Sequence, residues 1–402
     1  MRKRLFWALA AFSLLALLAG RGAAEFNRLE DFLKGYWSFP LPPQGPPPKG
    51  FSPLEASLKP SDCGLCHKAQ FEDWKTTIHA KSMGPGVFGQ ILELWGSSPP
   101  QAADCLTCHA PLKEQQRLSL LGKGPLANWA ENPSFIPSLE GEGLMCAACH
   151  VRAHRRYGPP KRDGTLVSAP GMPHGGAKRT PFFERAEFCM PCHQHPQNTA
   201  VNGKPIENTY QEWRASPYPR AGKQCQSCHM PDRRHLWRGI HDPEMVRQAV
   251  AVAVELAKGD GKLVRAEVRM KNVGAGHYFP TYVTPAVFVY AEVVDGEGKT
   301  LPGTRQVRKI SRDINFANYT EISDTRIPPG GTFRWEYRQA RPVGGKGLRI
   351  SVEVKPDYFY HGFFVQYLRA PRPERVRKLI EQAREDASKS AFFVYEKTFP
   401  LP

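Results

Sequence analysis

The sequence predicts a protein in two structural parts, a region of short α-helices and loops followed by an antiparallel β-sandwich-like domain and a terminal helix. Three observations support this prediction. Ten cysteines occur in five tight pairs between residues 63 and 228. Beyond residue 245, apolar and polar side chains alternate with the period of β-strands. Near the C-terminus, apolar side chains follow a helical period instead.

The first 24 residues are typical of a signal peptide. Residues 2–4 are basic, residues 5–20 form an apolar run, and small residues precede a cleavage site near Ala24. A membrane-spanning helix needs about 20 apolar residues, so the run is marginal for an anchor. We expect export to the periplasm or the extracellular space after cleavage, and an uncleaved anchor is the alternative.

Residues 25–60 form a proline-rich N-terminal segment. Eight prolines lie between residues 40 and 60. This composition predicts an extended, semi-rigid linker rather than a folded element.

Residues 61–244 carry five copies of the motif Cys-x-x-Cys-His, which together use every cysteine of the chain. The cysteines are Cys63, Cys66, Cys105, Cys108, Cys146, Cys149, Cys189, Cys192, Cys225 and Cys228, and the histidines are His67, His109, His150, His193 and His229. Two thiols at this spacing can bond to the two vinyl groups of one haem, and the adjacent histidine then reaches the iron. The motifs predict five covalently bound haem c groups with these histidines as proximal ligands.

Three other interpretations of paired cysteines fit less well. Zinc sites do not require a histidine directly after the second cysteine, and five motifs would leave one unpaired. A thioredoxin-like redox motif normally occurs once. Disulfide frameworks are typical of short secreted chains, whereas these pairs are spread over more than 160 residues.

The spacing of the motifs predicts how this region folds. Successive motifs are 42, 41, 43 and 36 residues apart, and segments of that length cannot bury an apolar core of their own. A haem macrocycle can serve as the core that each segment surrounds. We therefore expect a multihaem cytochrome c fold, with short helices and long loops wrapped around haems.

Eight further histidines could supply the sixth iron ligand. The candidates for distal ligands are His79, His174, His235, His241 and His277. His154, His195 and His361 are crowded by motif or aromatic neighbours, and Met83 and Met172 are the only methionines considered. Five distal histidines can be drawn from this set, so the arithmetic allows every haem to be bis-His.

Residues 245–360 predict the β-sandwich-like domain. Alternation over Val264–Met270, Val287–Val294, Phe333–Tyr337 and Ile350–Val354 predicts four of about six or seven strands. Residues 361–402 form the C-terminal helix and tail, in which Val376, Leu379, Ile380, Ala383 and Ala387 share one helical face.

Three segments carry a resemblance to a known family. They are Cys63 through Trp74 to His79, Asn208–Tyr218 leading into Cys225–Pro231, and Gly276-His277-Tyr278-Phe279-Pro280-Thr281. These segments resemble multihaem c-type cytochromes, a group that includes the tetrahaem cytochrome of nitrifying bacteria and, more distantly, hydroxylamine oxidoreductase, with an appended β-domain. The resemblance implies haem binding and electron transfer but no particular substrate. The Cys-x-x-Cys-Lys motif of pentahaem nitrite reductase is absent.

Two classes of function follow from these observations. The first is an electron carrier without catalytic residues that exchanges electrons with a redox partner protein. The second is an oxidoreductase that acts on a small nitrogen or sulfur compound at one open haem, with donors such as Arg152, Arg155, Arg156 and Tyr157. Tyr218 follows Trp213 at the distance at which His79 follows Trp74. If the two segments have equivalent roles, one haem is open or takes its ligand from elsewhere. The simpler interpretation is that the second segment supports the fold and Tyr218 only packs there. A subunit of a polymeric haem assembly is a third alternative.

The net charge of the chain bears on its partners. It is +17, and removal of residues 1–24 takes away four positive charges. Haem propionates offset much of the remainder, and no nucleic-acid-binding motif accompanies the charge, so no nucleic acid is expected. The basic surface favours an acidic redox partner, and a membrane-associated partner and self-association stay open.

Overall fold

The computed structural model describes residues 28–122, 127–168, 171–257 and 261–401. The signal peptide predicted for residues 1–24 lies outside these ranges. No helix in the described ranges is both long enough and apolar enough to cross a membrane.

The region before residue 250 consists mainly of short helices, as the motif spacing predicts. In chain order the α-helices are α1 (28–36), α2 (Pro53–Ala56), α3 (Pro60–Cys66), α4 (Lys68–Trp74), α5 (Pro85–Ser97), α6 (Pro99–His109), α7 (Cys146–His150), α8 (Met190–His193), α9 (Thr209–Arg214), α10 (Cys225–His229), α11 (Pro243–Ala249), α12 (Tyr358–Tyr367) and α13 (Glu374–Lys389). Single 3₁₀ turns occur at Lys113–Gln115, Pro137–Leu139, Pro173–Gly175, Pro181–Glu184, Ala186–Phe188, Gln197–Thr199 and Pro231–Arg233.

Five short strands accompany these helices. They are β1 (Leu118–Leu121), β2 (Asn128–Glu131), β3 (Val151–Arg152), β4 (Arg155–Gly158) and β5 (Ala177–Arg179). Strands β1 and β2 form a hairpin, and β4 pairs with β3 in the antiparallel sense and with β5 in the parallel sense. The sequence does not predict these five strands, because each is too short to show a periodic pattern.

The β-domain contains the remaining strands. They are β6 (Val250–Leu256), β7 (Leu263–Asn272), β8 (Ala286–Val294), β9 (Gln306–Ile310), β10 (Arg312–Asn315), β11 (Thr320–Asp324), β12 (Thr332–Ala340), β13 (Gly347–Lys355) and β14 (Phe392–Pro400). Two antiparallel sheets, ordered β12-β7-β6 and β14-β13-β8-β9, pack face to face. Val268, Val289 and Ile350 on their inner faces are fully buried. The four predicted strands are confirmed, and the alternation predicted them because each strand buries one face.

The C-terminal segment contributes both a helix and a strand. Val376, Ile380 and Ala383 of α13 are buried, as the periodicity predicts, and α13 packs on α5 of the helical region. Gly86 on α5 allows both C-terminal helices to approach, since a Cβ atom there would lie 2.5 Å from the Phe364 ring of α12 and 3.2 Å from Ala383 of α13. Strand β14 then joins the sandwich beside β13, a strand that the sequence analysis does not predict.

The proline-rich segment lies against the cytochrome region. Leu41 is buried in the cluster that surrounds α7, and the backbone N–H of Gln44 donates to Glu114 over 2.6 Å. The residues between α1 and α2 form no helix or strand, and α1 before them packs into the same cluster through Leu29 and Leu33.

Candidate haem-binding centre

The five motifs share one local geometry. Each lies on a short helix or at its end: α3, α6, α7, α8 and α10. On one helical turn, cysteines three residues apart face the same side and the following histidine continues from the same turn. All ten cysteines are free thiols, so every motif offers the pair of sulfur atoms that covalent haem attachment requires. No group of three or more His, Cys, Asp or Glu side chains in the described ranges is placed to hold a metal ion.

Hydrogen bonds orient four of the five motif histidines. Nδ1 lies 2.7 Å from the Ser82 carbonyl oxygen in His109, 2.8 Å from the Tyr157 carbonyl oxygen in His150, 2.9 Å from Glu207 Oε1 in His193 and 2.6 Å from the Arg238 carbonyl oxygen in His229. A partner on Nδ1 sets the orientation of the ring and leaves Nε2 as the nitrogen available to a metal.

Three motif histidines each face a distal candidate. The ring centres are 6.1 Å apart for His79 and His193, 6.2 Å for His150 and His235, and 6.3 Å for His229 and His277. Two imidazoles that bind one metal ion from opposite sides, each through a bond of about 2 Å, have ring centres roughly 6 Å apart. The separations therefore fit one haem iron between the rings of each pair.

Burial keeps these histidines neutral, which is the form that binds a metal. Burial lowers the pKa of His79 to about 3 and the pKa values of His150 and His229 to about 4. His193 differs: burial also opposes its charge, but the hydrogen bond that its Nδ1–H donates to Glu207, together with the Glu207 charge, outweighs burial and raises the pKa. Its side chain is 39% accessible.

His174 lies near the histidine of the first motif. Burial is the main cause that lowers its pKa, and the charge of His67 contributes. The backbone N–H of His174 donates to Glu55 Oε1 over 2.7 Å in a turn with φ of 44°. Nδ1 of His174 is buried without a hydrogen-bond partner, which makes this ring a candidate to face His67.

The structure does not bring His241 to a motif histidine. Its Nε2 lies 3.1 Å from both carboxylate oxygens of Asp357.

His109, the histidine of the second motif, has no such pair. Among the described residues, no other histidine ring faces it at the ring-centre distance of 6.1–6.3 Å that the three pairs show. Burial, followed by the charges of Glu207, Asp357 and Cys105, raises the pKa of Tyr360 to about 12.

The less favoured candidates occupy other positions. His154 Nε2 lies 2.9 Å from the Gly45 carbonyl oxygen, and His195 Nε2 lies 3.8 Å from Glu207 Oε2. His361 and Met172 are exposed, and Met83 packs in the core beside α5.

An internal repeat relates the segments around Trp74 and Trp213. The Trp74 indole donates to the Leu144 carbonyl oxygen, and the Trp213 indole donates to the Lys223 carbonyl oxygen. Each carbonyl lies two residues before a motif, the third and the fifth respectively. Both segments therefore hydrogen-bond to the chain just before a motif. They differ at the fifth residue after the tryptophan: His79 faces His193, whereas Tyr218 packs beside Trp213.

Neighbouring motifs also contact one another. The thiols of Cys63 and Cys146, of Cys108 and Cys192, and of Cys189 and Cys225 lie close enough to shift each other's pKa. The Trp237 ring lies 4.9 Å from the His79 ring and 5.1 Å from the His235 ring, so it links the rings that face the fourth and the third motif histidines. The fourth motif thus adjoins the second, third and fifth.

Some residues of the centre were not predicted from the sequence. They are Glu207 and Tyr282, which contact His193, and Trp237. None belongs to a local motif. Trp237 and Tyr282 both have a positive φ in the structure. Such backbone strain clusters at functional sites, but it is not visible in the sequence.

Comparison with known proteins agrees with this geometry. Residues 62–128 match the family described as cytochrome c554 and c-prime. Cytochrome c-554 of Nitrosomonas europaea is 29% identical over 163 residues, which cover 38% of this chain and 62% of that protein. These findings support a multihaem c-type cytochrome. A penta-heme cytochrome c552 from Thermochromatium tepidum has the same overall fold as this chain, with a TM-score of 0.60 at 17% identity over 87% of this chain and all of the other.

The match to the relative from Nitrosomonas spans less than two thirds of that protein's length. The paired imidazoles, the free cysteine pairs and the oriented Nδ1 atoms together fit covalently bound haem c, which would supply one-electron redox chemistry.

Proposed function

We propose that this chain is an exported pentahaem c-type cytochrome that carries electrons between redox partners through mainly bis-His haems. The single observation that carries the proposal is the set of three imidazole pairs 6.1–6.3 Å apart. An iron with an imidazole on both faces has no open position for a substrate, so such haems transfer electrons without binding one.

The contacts between motifs support a route for electrons. The first motif adjoins the third, the third connects to the fourth through Trp237, and the fourth adjoins the fifth. Cys66 and Cys228 are the exposed cysteines. They belong to the first and fifth motifs, so the two ends of this route lie nearest the surface, where redox partners can approach.

The partner is an acidic protein by charge complementarity. The chain keeps a net positive charge, which steers negatively charged partners to the surface. We expect the rate of electron exchange with an acidic partner to fall as salt concentration rises, because salt screens this attraction.

The test of the proposal is the composition and spin state of the purified mature protein. A mass that exceeds the polypeptide by five haems, with low-spin spectra that carbon monoxide does not change, is the expected result. A colourless protein, or a mass without added haem, would overturn the proposal.

A second candidate function concerns the second motif. His109 faces no second imidazole among the described residues, and the Glu207 charge acts on its pKa, which burial lowers. An open iron there would make the protein an oxidoreductase for a small nitrogen or sulfur compound. A high-spin signal that shifts with nitrite, hydroxylamine or sulfite favours this function.

His241 decides between the two functions at this motif. If His241 leaves Asp357 and binds the second iron, His241→Ala will convert one low-spin haem to high spin. If the second haem is open, the variant will leave the spin states unchanged and the high-spin signal will already be present in the wild-type protein.

A further inference from the structure

The carboxylate of Glu207 contacts one motif histidine, His193. Its Oε1 lies 2.9 Å from His193 Nδ1, and the Tyr282 hydroxyl lies 2.8 Å from the same nitrogen. The Glu207 side chain is 18% accessible, and its own backbone carbonyl accepts the N–H of His195. Hydrogen bonds therefore fix both the backbone and the carboxylate of Glu207.

The other oriented motif histidines have a different kind of partner. His109, His150 and His229 each place Nδ1 against a backbone carbonyl oxygen, which is neutral. A carboxylate is a stronger acceptor, because hydrogen bonds to an ionised group are shorter and roughly twice as strong. Among these four rings, His193 thus has the partner that withdraws most of the Nδ1–H proton.

We propose that Glu207 is a positioning residue that, through His193, lowers the reduction potential of the haem attached to Cys189 and Cys192. This inference rests on the proposed haem attachment. A carboxylate on Nδ1 makes the imidazole a more basic ligand. A more basic ligand and a nearby negative charge both stabilise ferric iron over ferrous iron, which makes reduction less favourable.

The position of the fourth motif gives this effect a consequence for the whole chain. The motif adjoins the second, third and fifth motifs. Electrons that move from the first motif towards the fifth pass this point. Because its reduction potential would be lower, the fourth haem would be reduced after its neighbours. Electrons would then reside on the haems on either side of the fourth haem.

Three variants separate the hydrogen bond from the charge. Glu207→Asp keeps the charge but draws the carboxylate back by one methylene group, and Glu207→Gln removes the charge and keeps the shape. Glu187→Gln is the matched control, because the Glu187 charge acts on Cys189 of the same motif while its carboxylate lies near Arg185 and the Tyr210 hydroxyl.

The measurement is a potentiometric titration of the holoprotein followed by electron paramagnetic resonance. The low-spin signal that disappears in His79→Ala identifies the fourth haem. We expect Glu207→Asp and Glu207→Gln to raise its reduced-to-oxidised ratio at the wild-type midpoint by at least about tenfold, which is about 59 mV for one electron. Glu187→Gln should raise the ratio less than either.

The possible outcomes are distinct. Equal shifts for Glu187→Gln and Glu207→Gln, with none for Glu207→Asp, would show a charge effect alone and overturn the inference. If the mass of Glu207→Gln shows that a haem has been lost, Glu207→Asp decides instead. A rise of at least about tenfold in the reduced-to-oxidised ratio of its fourth haem supports the inference, and an unchanged ratio overturns it. Loss of all five haems from the wild-type mass would refute the proposed function itself, whereas five haems with an unshifted fourth signal would refute only the role of Glu207.

Discussion

Arg326 of the β-domain donates a hydrogen bond to Glu212 of α9 over 2.9 Å, and the two side chains are only 2% and 3% accessible. The second oxygen of Glu212 accepts the backbone N–H of Tyr278 over 3.0 Å. This buried ion pair therefore joins the sandwich to the cytochrome region next to His277, the ring that faces His229.

Removal of the Arg326 side chain should weaken the contact between the sandwich and α9. We expect Arg326→Leu to lower the free energy of unfolding by about 3–5 kcal/mol, because Glu212 would remain buried without a counter-charge. Denaturant unfolding measures the loss, and an absorption spectrum should show part of the fifth haem in a high-spin state. Arg334→Leu breaks an exposed pair with Glu267 and should cost no more than about 1 kcal/mol. Equal losses in the two variants would contradict this role for Arg326.

The same junction should weaken in acid. Burial raises the pKa of Asp324, but hydrogen bonds from Arg326 and Lys204 outweigh it and lower the pKa to about 2. An unfolded aspartate has a pKa of about 3.9, so Asp324 contributes stability that is complete above about pH 5 and disappears as the pH falls through about 2. The contribution is about 2 kcal/mol.

Unfolding of Asp324→Asn at several pH values checks this expectation. The difference in unfolding free energy from wild type should be largest near neutral pH and shrink in acid. Asp386→Asn, at an exposed position of α13, is the control and should give a small difference at every pH. A constant difference for Asp324→Asn would show that its ion pairs do not stabilise the junction.

His277→Ala should change the spin state of one haem. The ring of His277 lies nearly parallel to the ring of His229, with an angle of 11° between their planes. Its removal leaves the fifth iron without its distal ligand, so one low-spin signal should become high-spin. His154→Ala, which removes a ring bonded to the Gly45 carbonyl oxygen, should leave all spin states unchanged. An unchanged spectrum in His277→Ala would refute the assignment.

Trp237→Ala should perturb two haems together. The indole contacts both His79 and His235, which face the histidines of the fourth and third motifs. We expect two low-spin signals to broaden or shift in one variant. Trp335→Ala removes a buried indole of the sandwich that contacts Tyr337, and should cost about 3–5 kcal/mol without spectral change. A change in only one signal of Trp237→Ala would show that the indole supports a single ligand.

The sequence by itself determined the features that depend on neighbours along the chain. The motif Cys-x-x-Cys-His is complete within five residues, so its chemistry needs no knowledge of the fold. Strands β7, β8, β12 and β13 were predictable because each buries every second side chain. Helix α13 was predictable for the same reason at a helical period.

Only the tertiary structure decided which residues meet. His79 faces His193 although 114 positions separate them, and His241 pairs with Asp357 rather than with a motif histidine. Glu207 and Arg326 belong to no motif, and β14 pairs with β13 although two helices, α12 and α13, lie between them in the chain. A ligand pair or a buried ion pair depends on contacts between distant segments, and periodicity reports only which face of a segment is buried, not what it is buried against.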